Sequence, residues 1–131
     1  MMDEREFYRA LNDWRNRRFD WSAAHCCHFC ADVLAAATGR VIDLPPTDSA
    51  EAARDWLRSQ GHASLYHYLV KLFGQPIPPL QAKRGYLVYR SVGLEGGALG
   101  VVDRQGLFLT DHGVIPVGLG DCNKAFRTHD G

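Results

Sequence analysis

Residues 22–38, SAAHCCHFCADVLAAAT, constrain this chain more than any other stretch. Between Ala23 and Ala37 only His25, His28 and Asp32 are strongly polar. A helix apolar on nearly every side belongs inside a fold, covered by more than one neighbour. The small residues Ala31, Ala35, Ala36 and Ala37 allow a sheet to approach closely. Ser22 is placed to cap the start of this helix, and Gly39 to stop it. The rest of the chain must therefore supply layers that cover a central helix.

The flanking segments have the periodicities to do so. Residues 3–18 carry Phe7, Leu11 and Trp14 on one helical face, with charges on the other. Arg15, Arg17 and Arg18 near its end suit the helix dipole and read as a solvated face. Asp48 and Glu51 have the spacing of a capping box for a third helix running to about Ser59, with Gly61 beyond. Leu65, Leu69, Leu72 and Phe73 define a fourth helix over Ser64–Phe73, ended by Gly74. Pro76, Pro78 and Pro79 mark an extended linker. After Arg84 the texture becomes β. Strands are expected at Tyr86–Val92, Ala98–Asp103, Leu107–Thr110, Val114–Val117 and Lys124–Thr128. Arg104-Gln105-Gly106 and Asp111-His112-Gly113 form turns between them. Short strands separated by glycine predict an antiparallel meander. Helices first and strands second predict an α+β fold.

A chain of 131 residues fits one domain, here residues 1–131. Fifteen basic and fifteen acidic residues give a formal net charge of zero, which argues against a general nucleic-acid binder. No run reaches the roughly 18 apolar residues of a membrane span. The start, Met-Met-Asp-Glu-Arg-Glu, lacks the basic and apolar regions of a secretion signal, so synthesis and residence in the cytoplasm are expected.

Chemistry concentrates at His25-Cys26-Cys27-His28-Phe29-Cys30. Cys26 falls about one turn into the helix, where the positive end of the dipole favours a thiolate, the nucleophile of cysteine hydrolases. His25 is its neighbour in sequence, but adjacent helix positions diverge, so His25 is poorly placed as its base. The same residues form a dense set of soft ligands, and a small Cys/His metal-binding module is one reading. Structural zinc sites use two separated pairs, however, and the only distant cysteine is Cys122, followed by His129. Core packing of reduced cysteines is favoured, with no metal and no cofactor. His62 and His67 read as surface or core-edge residues, Trp56 as core. Tyr66 and Tyr68 suit either a partner surface or the core boundary.

The order of motifs resembles that of the NlpC-type, papain-like cell-wall peptidases. That family shows a tryptophan, a short loop and then Asp-Cys-Ser-Gly-Phe opening a helix; Trp21 and His25-Cys26-Cys27-His28-Phe29 stand in those places. Its glycine and Leu-Pro after the helix match Gly39 and Leu44-Pro45. Its Arg-Gly-Asp-Leu-Val matches Arg84-Gly85-Tyr86-Leu87-Val88. Its His-Val-Gly-Ile is similar to Ala98-Leu99-Gly100-Val101. The resemblance covers roughly residues 20–117. It implies a papain-like domain in which N-terminal helices, with a central Cys-bearing helix, pack on a C-terminal antiparallel sheet.

The same resemblance makes Cys26 the nucleophile but puts Ala98 at the general-base position and Thr110 near the third polar position. His25 replaces the aspartate before the nucleophile. Losing a triad member removes several orders of magnitude of rate. Compact single-domain members of the family occur in tailed phages. The implied role is thus a catalytically degenerate structural or assembly component of a phage tail tip or baseplate. It would be made in the host cytoplasm and then carried in the virion, with other tail proteins as partners. The alternative is an active cysteine peptidase cleaving peptidoglycan crosslinks during entry, with Cys26 as nucleophile and His112 as a non-standard base.

Overall fold

The computed structural model describes residues 2–16, 26–45, 50–91, 97–110 and 113–129, the side chains of Cys26 and Ala50 excepted. The described residues form four α-helices, α1 (Glu4–Arg15), α2 (Cys26–Thr38), α3 (Ala50–Ser59) and α4 (Leu65–Phe73), followed by five strands. The strands are β1 (Leu87–Ser91), β2 (Gly97–Asp103), β3 (Gln105–Thr110), β4 (Gly113–Val117) and β5 (Lys124–Phe126). All pair antiparallel in one sheet of order β4-β3-β2-β1-β5. The protein is α+β, with helices preceding an antiparallel sheet. None of its described helices is long and apolar enough to cross a membrane. The expected Ser22 cap, the Asp48 cap, Arg17, Arg18, Trp21, His25 and Val92 lie outside the described residues.

Helix α1 forms where its sequence supplies both a cap and a face. The Asp3 carboxylate accepts from the Glu6 backbone N–H, satisfying one orphan donor of the first turn. Arg9 bridges Glu6 and Asp13 on the exposed side. Phe7, Ala10, Leu11 and Trp14 are buried. They meet α2, whose Cys27, Phe29, Cys30, Val33, Leu34 and Ala37 are buried in the same cluster. Helix α2 packs against β2 and β3 on its other side, as its near-continuous apolar surface requires. Trp14 Nε1 donates to Asp32 at 2.6 Å and its ring meets Phe29 edge-on at 5.6 Å. Arg40 closes the end of this layer: its guanidinium donates to the Leu72 carbonyl and lies 4.5 Å over the Phe73 ring.

The sheet is covered on both faces. Leu87, Leu99, Val101, Leu107, Leu109 and Phe126 share the helical core. Tyr86, Val88, Val102 and Phe108 form a second cluster with Ile77, Ala82, Ala98, Val117, Leu119 and Cys122. This alternation is the two-residue period of a pleated strand with both faces buried.

Three sequence expectations are corrected. The β2–β3 turn is tighter than Arg104-Gln105-Gly106, because Asp103 pairs with Gln105 and Arg104 alone links them. The meander ends at β4; β5 returns to the outer edge of β1, with Leu87 opposite Phe126. The proline segment is more than a linker, since Ile77 exchanges two backbone hydrogen bonds with Ala125 and Pro79–Gln81 forms a 310 turn.

Arg104 has φ of 65°. A side chain in this left-handed region costs roughly 1–2 kcal/mol, which glycine avoids at a smaller entropic cost. Arg104→Gly is therefore expected to raise stability by up to about 1 kcal/mol, or about 4 °C in a thermal melt. No rise, or a fall, would show that Arg104 is held by contacts worth more than its strain.

Both sheet edges resist strand addition. The outer side of β5 carries the Ile77 bridge. On β4, Thr110 and Gly113 close a hairpin, and counting from that pair places Pro116 at a non-hydrogen-bonded position opposite Leu107. Its nitrogen faces outward and removes a donor from the exposed edge.

Candidate functional site

The direction of α2 follows from three contacts. The Asp3 backbone N–H donates to the Ala37 carbonyl, so the start of α1 meets the end of α2. Tyr8 donates to Asp103, and Arg84 bridges Asp103 and Glu4, so the same end of α1 meets the end of β2. Helix α2 and strand β2 thus run the same way. The first turn of α2, which begins at Cys26, lies toward the end of the sheet that holds the start of β2 and the close of β3.

At that end the helix-facing side of β2 carries Gly97 and Leu99. A Cβ at Gly97 would fall 2.1–2.3 Å from the ring and hydroxyl of Tyr89, so the tyrosine occupies the space a side chain there would need. Tyr89 meets Tyr66 of α4 edge-on at 5.7 Å. Burial, reinforced by Tyr66, pushes the Tyr89 phenol above its ordinary pKa, so it remains a protonated donor at neutral pH. Ala98, the base position implied by resemblance, packs with the second cluster on the face away from α2. Strand alternation places Thr110 with Gly106 and Phe108 on that same far face, and its hydroxyl donates to the Gly113 carbonyl. His112 and the Cys26 side chain lie outside the described residues. A domain-of-unknown-function family, DUF6950, matches residues 2–128. The chain belongs to the DUF6950 family. No curated protein matches it.

In this DUF6950 domain the other cysteines separate. Cys27 and Cys30 are buried between α1, α2 and the sheet, while His28 is exposed. Cys122 packs on the opposite face, where burial pushes its thiol above the ordinary range. The sheet stands between Cys122 and the α2 pair. Among the described residues no group of three His, Cys, Asp or Glu side chains is placed to hold a metal ion.

The remaining sequence candidates are structural or peripheral. The His62 ring lies 4.5 Å from that of Tyr68, tilted by 43°, and the Tyr68 hydroxyl donates to the Asp43 carbonyl. Trp56 is half-buried against the same Tyr68 ring and joins α3 to α4. His67 and Arg15 are exposed. Tyr66 belongs to the core boundary, against Tyr89 and Phe126.

Sequence reasoning missed a groove at the other end of the sheet. It has a volume of about 240 Å³ and is lined by Ile77, Gln81, Lys83, Tyr86, Arg127 and His129. No local motif signals it, because the antiparallel pairing of β1 with β5 is what brings residues 83 and 127 together.

Proposed function

We propose that this chain is a structural or assembly component of a phage tail tip or baseplate. In this reading it is a papain-like, NlpC-type domain whose hydrolytic site has degenerated. It is made in the host cytoplasm, resides in the virion and has other tail proteins as partners. The observation that carries the reading is the start of β2. Motifs in the order of the NlpC-type peptidases surround it, yet Gly97, Ala98 and Leu99 offer no ionisable side chain and Tyr89 fills the space over Gly97. A thiol without a base to take its proton is a poor nucleophile at neutral pH. The bridged β5 edge and the proline-blocked β4 edge direct assembly contacts to helices and loops.

The expected result is that the protein releases no peptide from purified peptidoglycan. Cys26→Ser and His112→Ala should not differ from the unaltered chain. The protein should also co-purify with intact tail particles at fixed stoichiometry. A stable monomer absent from purified particles overturns the assembly reading.

One observation favours a second reading, an active cysteine peptidase. Thr110 and Gly113, on either side of Asp111-His112, are the closing pair of a hairpin at the sheet end toward which α2 begins. Peptidoglycan cleavage lost in both Cys26→Ser and His112→Ala would establish that enzyme. Cleavage unchanged in both would end it.

A further inference from the structure

The groove between the Ile77–Lys83 segment and the β1–β5 junction concentrates positive charge in a chain with none to spare. Fifteen basic and fifteen acidic residues balance overall. Yet the lining holds Lys83 and Arg127, with the His129 ring beside them, and no carboxylate among the described residues. Charged groups of α1 and β2 are paired in place, Arg9 with Glu6 and Asp13 and Arg84 with Glu4 and Asp103. Lys83 and Arg127 have no ion-pair partner among the described residues.

The walls are fixed by hydrogen bonds, one buried and one partly buried. Thr128 Oγ1 donates to the Gly85 carbonyl at 2.6 Å. His129 Nε2 lies 2.8 Å from the Arg84 carbonyl, which only accepts, so this nitrogen carries the proton. The Tyr86 and His129 rings meet at 5.1 Å, and Tyr86 is itself buried. Ile77 is held by its bridge to Ala125. The groove therefore offers a hydrogen-bonded floor beside Ile77 and Gln81, under two long cationic side chains free to converge on a ligand.

We propose that this groove is a binding site for a small oxyanion, a phosphate or a carboxylate, held by Lys83 and Arg127. An ammonium and a guanidinium together make charge-assisted hydrogen bonds to such a group. The volume suits a ligand smaller than those of typical drug-sized sites, which occupy roughly 300–1,000 Å³. The site lies at the sheet end away from the start of α2 and stands independently of any hydrolytic reading.

The test is a two-dimensional NMR titration of the whole chain with sodium phosphate and, separately, sodium acetate, with chloride holding ionic strength constant. Saturable shifts are expected at Lys83, Tyr86, Arg127 and His129. Lys83→Gln and Arg127→Gln should each weaken binding about tenfold, as befits loss of one charged hydrogen bond. Lys124→Gln, exposed on β5 outside the groove, should leave it unchanged. Saturation by phosphate alone assigns a phosphate-bearing ligand; saturation by acetate alone assigns a carboxylate. Shifts that drift without saturating, or that persist unchanged in both groove variants, overturn the site. All three side chains are exposed, so their replacement leaves the fold intact, which circular dichroism verifies.

Discussion

Phe29→Ala is expected to lower the unfolding free energy by about 3–5 kcal/mol. Phe29 is fully buried, and it sits in the layer where α1, α2 and the sheet meet. Its ring touches Trp14 edge-on, and Trp14 is anchored by its bond to Asp32 one turn further along α2. Truncation removes the ring's burial and leaves a cavity that two rigid helices and a paired sheet are poorly able to close. A domain of this size has a total stability of roughly 5–15 kcal/mol, so the loss is a large share of the whole. Urea unfolding checks it: the midpoint should fall sharply while the slope stays constant. Arg54→Ala, exposed on α3, should change stability by under about 0.5 kcal/mol. A Phe29→Ala loss below about 1 kcal/mol would mean that α2 is not the centre of the core.

That contrast also explains what was legible in the sequence. The burial of α2 could be read because it depends on composition alone: a helix with so few polar residues has nowhere else to go. The α1 face, carrying Phe7, Leu11 and Trp14, was legible from its period, and the fourth helix from Leu65, Leu69, Leu72 and Phe73 and its Gly74 stop, though not its Ser64 cap. The path of β5 was not, since nothing near Lys124 encodes its pairing with Leu87–Tyr89 across an intervening three-stranded hairpin system. The facing of Ala98 was equally hidden. Its apolar neighbours on both sides, Leu99 and Val101 toward α2 and Val102 away from it, leave no polar alternation to show which face is which. The cationic groove was invisible for the same reason as β5, because Lys83 and Arg127 become neighbours only through that pairing. In each case the missing information is long-range register, which local pattern does not contain.

Gly100→Ala is the second large effect, expected to cost about 2–3 kcal/mol, toward the upper end of what overpacking causes. A Cβ at this position would lie 2.6 Å from the Leu107 carbonyl oxygen and 2.9 Å from the Phe108 ring. The ring has little room to turn, since it is buried among Val88, Val102 and Tyr86. The carbonyl has less, because Leu107 is held between Val101 on one side and Pro116 on the other. Relief must come from prising β2 away from β3, and that also disturbs Leu99 and Val101 beneath α2. Gly120→Ala is the matched control: a Cβ there meets nothing within 4 Å, so thermal stability should barely move. Equal losses at the two positions would show that the cost is the general one of replacing glycine and not the local one of close approach. The comparison bears on the resemblance as well. Gly100 stands where the NlpC-type strand motif has its glycine, and here that glycine has a physical reason to persist. The approach of β2 to β3 demands it whether or not a catalytic histidine precedes it. Under the proposed reading, a motif keeps its structural residue after the chemical one has gone, and Gly100 beside Ala98 would be that state.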